Sequence, residues 1–164
     1  MSHDYIALEW VKGEIEETLQ QAQQALEAYV ENTQDRTRLN FCLSYLHQVH
    51  GTLQMVEFYG AALLAEEMEA LAKVLAEGDV ANESDVLEVL MQAILQLPSY
   101  LEHIKVGRRD LPVVLLPILN ELRAARGESL MSETALFAPN IEAPAILSTE
   151  ELNKFNDPGF VPWL

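Results

Sequence analysis

At 164 residues the chain can form one domain with a proper core, and its 26 acidic against 10 basic side chains give a formal charge of −16. That surface repels phosphate backbones and anionic lipid, which excludes nucleic acid and acidic membranes and leaves protein surfaces as natural partners. The single cysteine, Cys42, permits no intrachain disulfide, and its place in an apolar stripe marks it as a small core residue. There is no signal-peptide pattern, and the longest apolar run, 111–119, is too short to span a bilayer, so the expectation is a cytoplasmic protein with no membrane insertion.

Hydrophobic periodicity is helical almost throughout. Ile6, Trp10, Leu19, Ala22, Leu26, Tyr29 and Val30 recur at three- to four-residue spacing and predict a long first helix. Asn32-Thr33-Gln34-Asp35 breaks it and can cap the next helix. Leu39, Cys42, Leu43, Leu46, Val49, Leu53 and Val56 form the second stripe. Tyr59-Gly60 interrupts or bends the chain before Ala61, Leu64, Met68, Leu71 and Leu75 form the third, which Gly78 ends. Asn82 to Asp85 reads as another cap, opening a helix from about 84 to 104 with Pro98 inside it, where a kink or break is expected. A turn at Gly107-Arg108-Arg109-Asp110 precedes a fifth helix with Pro112 in its first turn, running to Gly127.

No strand-period alternation is convincing, so the fold class is all-α, an antiparallel helical bundle with an additional helix. The domain reading is a bundle over 1–128 and a mostly irregular tail over 129–164. The tail holds Pro139, Pro144, Pro158 and Pro162, with a short capped helix at 148–155 and several apolar residues able to pack on the bundle or on a second copy.

One stretch carries candidate chemistry. Helical spacing places Asn40, Ser44, His47, Gly51 and Gln54 on the polar stripe of the second helix, while Leu46 and its relatives face the core. A histidine that accepts a group from a docking protein needs exposure and room, and Gly51, one turn on, clears space beside His47. Close helix packing at Gly51 explains the glycine equally well. His47 and His50, at i and i+3, could also converge on a metal with Glu66 or Glu69, but the signal is weak and no metal or other cofactor is assigned. His3 and His103 are isolated. Nucleophile triads and phosphate-cradling glycine loops are absent, so the chain has no nucleotide site of its own.

The frame His47-Gln48-Val49-His50-Gly51 resembles the His-x-x-Lys-Gly signature of histidine phosphotransfer (Hpt) domains. The resemblance implies a four-helix core, His47 as phosphoacceptor, Glu69 on the next helix orienting the imidazole, and Gly51 as clearance beside the phosphohistidine. His50 stands where that family has its lysine. Over most of 5–138, Trp10-Val11-Lys12-Gly13-Glu14, Gly60-Ala61-Ala62-Leu63-Leu64 and Leu111-Pro112-Val113-Val114-Leu115 are similar to a narrower group. That group is the N-terminal region of the chemotaxis-type hybrid histidine kinases of type IV pilus systems (ChpA or PilL type), with the related FimL-type scaffolds. It implies a two-component chemosensory role in twitching motility. Implied partners are a response-regulator receiver, a kinase catalytic domain, or scaffold proteins of the pilus machinery. Two readings follow: a phosphorelay module carrying a phosphoryl group on His47, and a non-catalytic, FimL-like interaction domain.

Overall fold

The computed structural model describes residues 3–105 and 112–137, and every structural statement below concerns these. They form α1 (His3–Glu31), α2 (Thr37–Met55), α3 (Tyr59–Ala76), α4 (Glu83–Lys105), a 3-10 turn (Pro112–Leu115), α5 (Leu116–Ala125) and a short α6 (Glu133–Phe137). The chain divides after Met131 into two units, and α6 belongs to the second. There Ser132 Oγ accepts from the Ala135 amide at 3.1 Å, which caps that single turn.

The first unit is the all-helical bundle that the periodicity predicts. Links of three to six residues force successive helices antiparallel. α1 packs on α2, α2 on α3, α3 on α4, and α4 back on α1, closing a ring of four helices. α5 and the 3-10 turn lie against α3, and α5 also against α4. Leu26, Leu46, Leu64, Met68 and Leu90 are fully buried at the centre. Each such side chain contributes roughly 1.5–3 kcal/mol of hydrophobic stabilisation relative to an exposed one. Cys42 lies among them, and burial pushes its thiol up to about 12.

Local chemistry fixes the ends. Asn82 Oδ1 accepts from the Asp85 amide at 3.3 Å while its Nδ2 donates to Asp85 Oδ2 at 2.7 Å, opening α4. Gly78 and Gly127 close α3 and α5 with φ of 76° each, a left-handed conformation that a Cβ would strain. Tyr29 buries its ring and donates to Glu83 Oε1 at 2.8 Å, tying the end of α1 to the start of α4. Burial, with that hydrogen bond in support, holds its phenol above the usual range.

The structure departs from the sequence expectations in four places. Trp10, placed on the α1 core stripe by its spacing, is 81% exposed, because the ring of helices covers only the side bearing Val11 and Ile15. Val30 likewise faces outward, since its neighbour Tyr29 takes the inward position. The break between α2 and α3 falls at 56–58, not at Tyr59-Gly60: Glu57 adopts φ 64°, and Gly60 is buried inside the first turn of α3. α4 runs unbroken through Pro98, the missing N–H costing it one backbone bond without ending the helix. The turn at 107–110, the expected helix start at Asp110-Leu111 and the tail helix at 148–155 lie outside the described residues.

Candidate functional site

His47 projects from the middle of α2 with its side chain 73% exposed, as the polar-stripe position predicts. α2 and α3 pair antiparallel, and this register brings Glu69 of α3 beside it. A carboxylate only accepts, so the imidazole proton sits on Nδ1, which donates to Glu69 Oε2 at 2.7 Å. Nε2 is then the free nitrogen, carrying the lone pair. A carboxylate fixing one imidazole nitrogen so that the other is presented is a general orienting device.

The same carboxylate holds a second ring. His50 Nδ1 donates to Glu69 Oε1 at 2.9 Å, so Glu69 bridges two imidazoles one helical turn apart. Unlike His47, His50 is mostly buried, with 17% of its side chain exposed. Its Nε2 is buried without a hydrogen-bond partner, and Glu66 Oε2 lies 3.6 Å away, too far for a hydrogen bond. A cationic His50 would stand between two carboxylates.

Gly51 lies on the surface one turn above His47. A Cβ built on it meets nothing within 4 Å, so close helix packing is not the reason for this glycine. The space beside the imidazole is open to the outside. Thus His47, His50, Glu69 and Gly51 all gather on one face of the α2–α3 pair, while His103 is exposed on α4 and takes no part. Among the described residues no group of three or more His, Cys, Asp or Glu side chains is arranged to hold a metal ion. Nor is any helix long and apolar enough to cross a membrane.

Sequence reasoning missed a second polar cluster, below this face. Glu67 is only 1% exposed on the core side of α3. Its two oxygens accept from Arg123 Nη1 at 2.9 Å and Arg126 Nη2 at 2.8 Å, both from the end of α5. Arg123 also donates through Nε to the Ser129 carbonyl at 2.6 Å. One signal could have found it. Glu67 falls between Leu64 and Leu71 in the core register, and an acid there needs a cation.

Fold and site together define a class: a helical bundle displaying an exposed, carboxylate-held histidine on its surface. Residues 5–118 match the FimL C-terminal domain, and the chain belongs to that family. It is 34% identical over 143 residues to the scaffold protein FimL of Pseudomonas aeruginosa. That alignment covers 87% of this chain and 25% of the relative, so the chain spans about a quarter of that protein's length. No solved structure matches.

Proposed function

We propose that this domain is a protein-interaction module, scaffold-like in action, in a two-component pathway that regulates type IV pili. Membership of the FimL C-terminal domain family and similarity to a scaffold protein support the interaction role. The pilus pathway rests on the resemblance described from the sequence. The observation that carries the reading is the state of His50. It occupies the position of the phosphotransfer lysine, yet it is turned inward onto Glu69 and three-quarters or more buried, so it offers no cation to phosphoryl oxygens outside. Around it, Gly51 leaves a bare helical surface that a partner could approach closely.

The test is calorimetric. Receiver domains of response regulators encoded with the pilus chemosensory system are titrated into the full chain and into its Gly51→Leu variant. Saturable binding that the variant loses supports a docking surface at α2. Binding unchanged by Gly51→Leu refutes it.

A second reading, phosphotransfer, is favoured by one specific geometry: Nδ1 of His47 is held by Glu69 while Nε2 is exposed. In that reaction the Nε2 lone pair attacks the phosphorus of an aspartyl phosphate on a receiver. A P–N bond forms, the P–O bond to the carboxylate breaks, and the carboxylate leaves with the electron pair. The positive charge gained by the ring is balanced by Glu69. Incubation with a kinase module, a receiver domain that it phosphorylates, ATP and magnesium would give acid-labile, base-stable phosphate on the wild type and none on His47→Gln. No label on either chain, with other phosphotransfer domains labelled alongside, leaves the scaffold role alone.

A further inference from the structure

The ring of four helices has a second side. α1 and α4 close it opposite α2 and α3, so their outer face lies across the bundle from His47. Between the C-terminal half of α1 and the N-terminal half of α4 runs an open groove of about 470 Å³. Val30, Leu87 and Met91 give it apolar walls above the buried Leu26, and Glu27, Glu31 and Glu88 line it with carboxylates. Val30 is 53% exposed, and Leu95, one turn beyond Met91 on α4, is 54% exposed, so the apolar strip continues past the groove. No lysine or arginine lines it. Arg36, in the turn that follows α1, is engaged with the Leu75 carbonyl at 3.2 Å and Glu83 at 3.7 Å.

Charge decides what fits. An apolar trough flanked by acids and free of cations accepts a helix whose apolar stripe enters the trough and whose lysines and arginines reach the flanks. A second copy of this chain would bring the same carboxylates against themselves. The chain's own tail over 129–164 also has the wrong sign, with Glu133, Glu142, Glu150, Glu151 and Asp157 against Lys154 alone. We propose that the α1–α4 groove is a docking site for a basic amphipathic helix of a partner protein. This rests on the interaction-module reading and extends it: with the groove across the bundle from His47, one domain can hold two partners at once.

The test uses NMR on the full chain. The probes are a helical leucine–lysine peptide about 18 residues long, roughly five turns, and its counterpart with glutamate for lysine. The lysine peptide is expected to shift resonances of residues 26–31 and 87–95 saturably, and the glutamate peptide is not. Glu27→Lys, Glu31→Lys and Glu88→Lys together should weaken binding by about tenfold. The control triple Glu14→Lys, Glu17→Lys and Glu121→Lys removes equal charge from exposed positions elsewhere and should leave affinity within about twofold. Equal loss in both triples would mean diffuse attraction to an acidic surface, and would overturn the proposal. So would a concentration-dependent dimer that Val30→Glu dissolves, which would assign the groove to a second copy. Shifts confined to the His47–Gly51 face would also sink the groove while leaving the interaction module standing.

Discussion

Gly51→Ala is expected to stabilise the domain and weaken its partner binding. Glycine inside a helix is about 0.8–1 kcal/mol less favourable than alanine. At this position nothing offsets the gain, since the added Cβ meets no atom within 4 Å and φ is not positive. Gly51 lies near the end of α2, where fraying trims the benefit, so a gain of roughly 0.5–1 kcal/mol is expected. For a domain of this size that raises Tm by about 1–4 °C. Urea denaturation followed by helical circular dichroism reads it directly: the midpoint rises while m stays constant. A midpoint that falls would show that Gly51 does not occupy an ordinary, open helical position, and the geometric argument would fail. A midpoint that rises with partner affinity intact would show that the bare surface is not what the partner uses.

Three other outcomes follow from the same structure. Glu67→Ala leaves the largely buried Arg123 without its acid and should cost about 3–5 kcal/mol in urea denaturation; a loss under about 1 kcal/mol would show the cluster is well solvated. Alkaline pH should destabilise the fold. Burial raises the folded Cys42 thiol from 9.0 to about 12, burial with the Glu83 bond raises Tyr29, and the hydrogen bond to Glu102 raises Lys12. In each case the folded state keeps a proton that the unfolded chain has lost, so stability is fully present below the unfolded pKa and is lost as pH rises through the folded one. From Cys42 alone the slope above pH 9.0 approaches about 1.4 kcal/mol per pH unit; a stability curve flat from pH 9 to 11 in Cys42→Ala and wild type alike would refute that account. Glu57→Gly relieves a left-handed backbone at φ 64° and should raise the unfolding free energy by about 0.5–1 kcal/mol, read as a higher urea midpoint at unchanged m.

The helices and the site were legible in the sequence to different depths. Leu39, Leu46 and Leu53 repeat every seven residues, and each faces the core as that spacing requires. His47 and Gly51 share a polar stripe by simple helical geometry, so their exposure could be read directly. Glu69 as the group that orients His47 came only with the family resemblance, because periodicity carries no information about which residue of a neighbouring helix lies opposite. The bridge from Glu69 to both rings was not anticipated; it holds His50 inward, at the position where the related signature has a lysine. Trp10 misled because its spacing is apolar while no helix covers that side of α1. The α2–α3 break was misplaced because glycine is the usual punctuation, whereas here a glutamate takes the left-handed turn. Glu67 was hidden by Glu66 and Glu69 around it, which make the segment read as solvated, and its cations lie more than fifty residues away.

The Glu67 cluster also bears on where this module can be cut. The family match ends at residue 118, inside α5, before Arg123 and Arg126. A fragment excised there would expose the α3 flank that α5 covers and keep an internal carboxylate stripped of both guanidinium groups. Asn120 adds a further stitch, exchanging two hydrogen bonds with the Met131 backbone at 2.7 and 3.1 Å. The smallest piece that retains its own internal chemistry therefore reaches Met131, and recombinant or grafted versions shortened to the end of the family match would be expected to aggregate or collapse into a looser state.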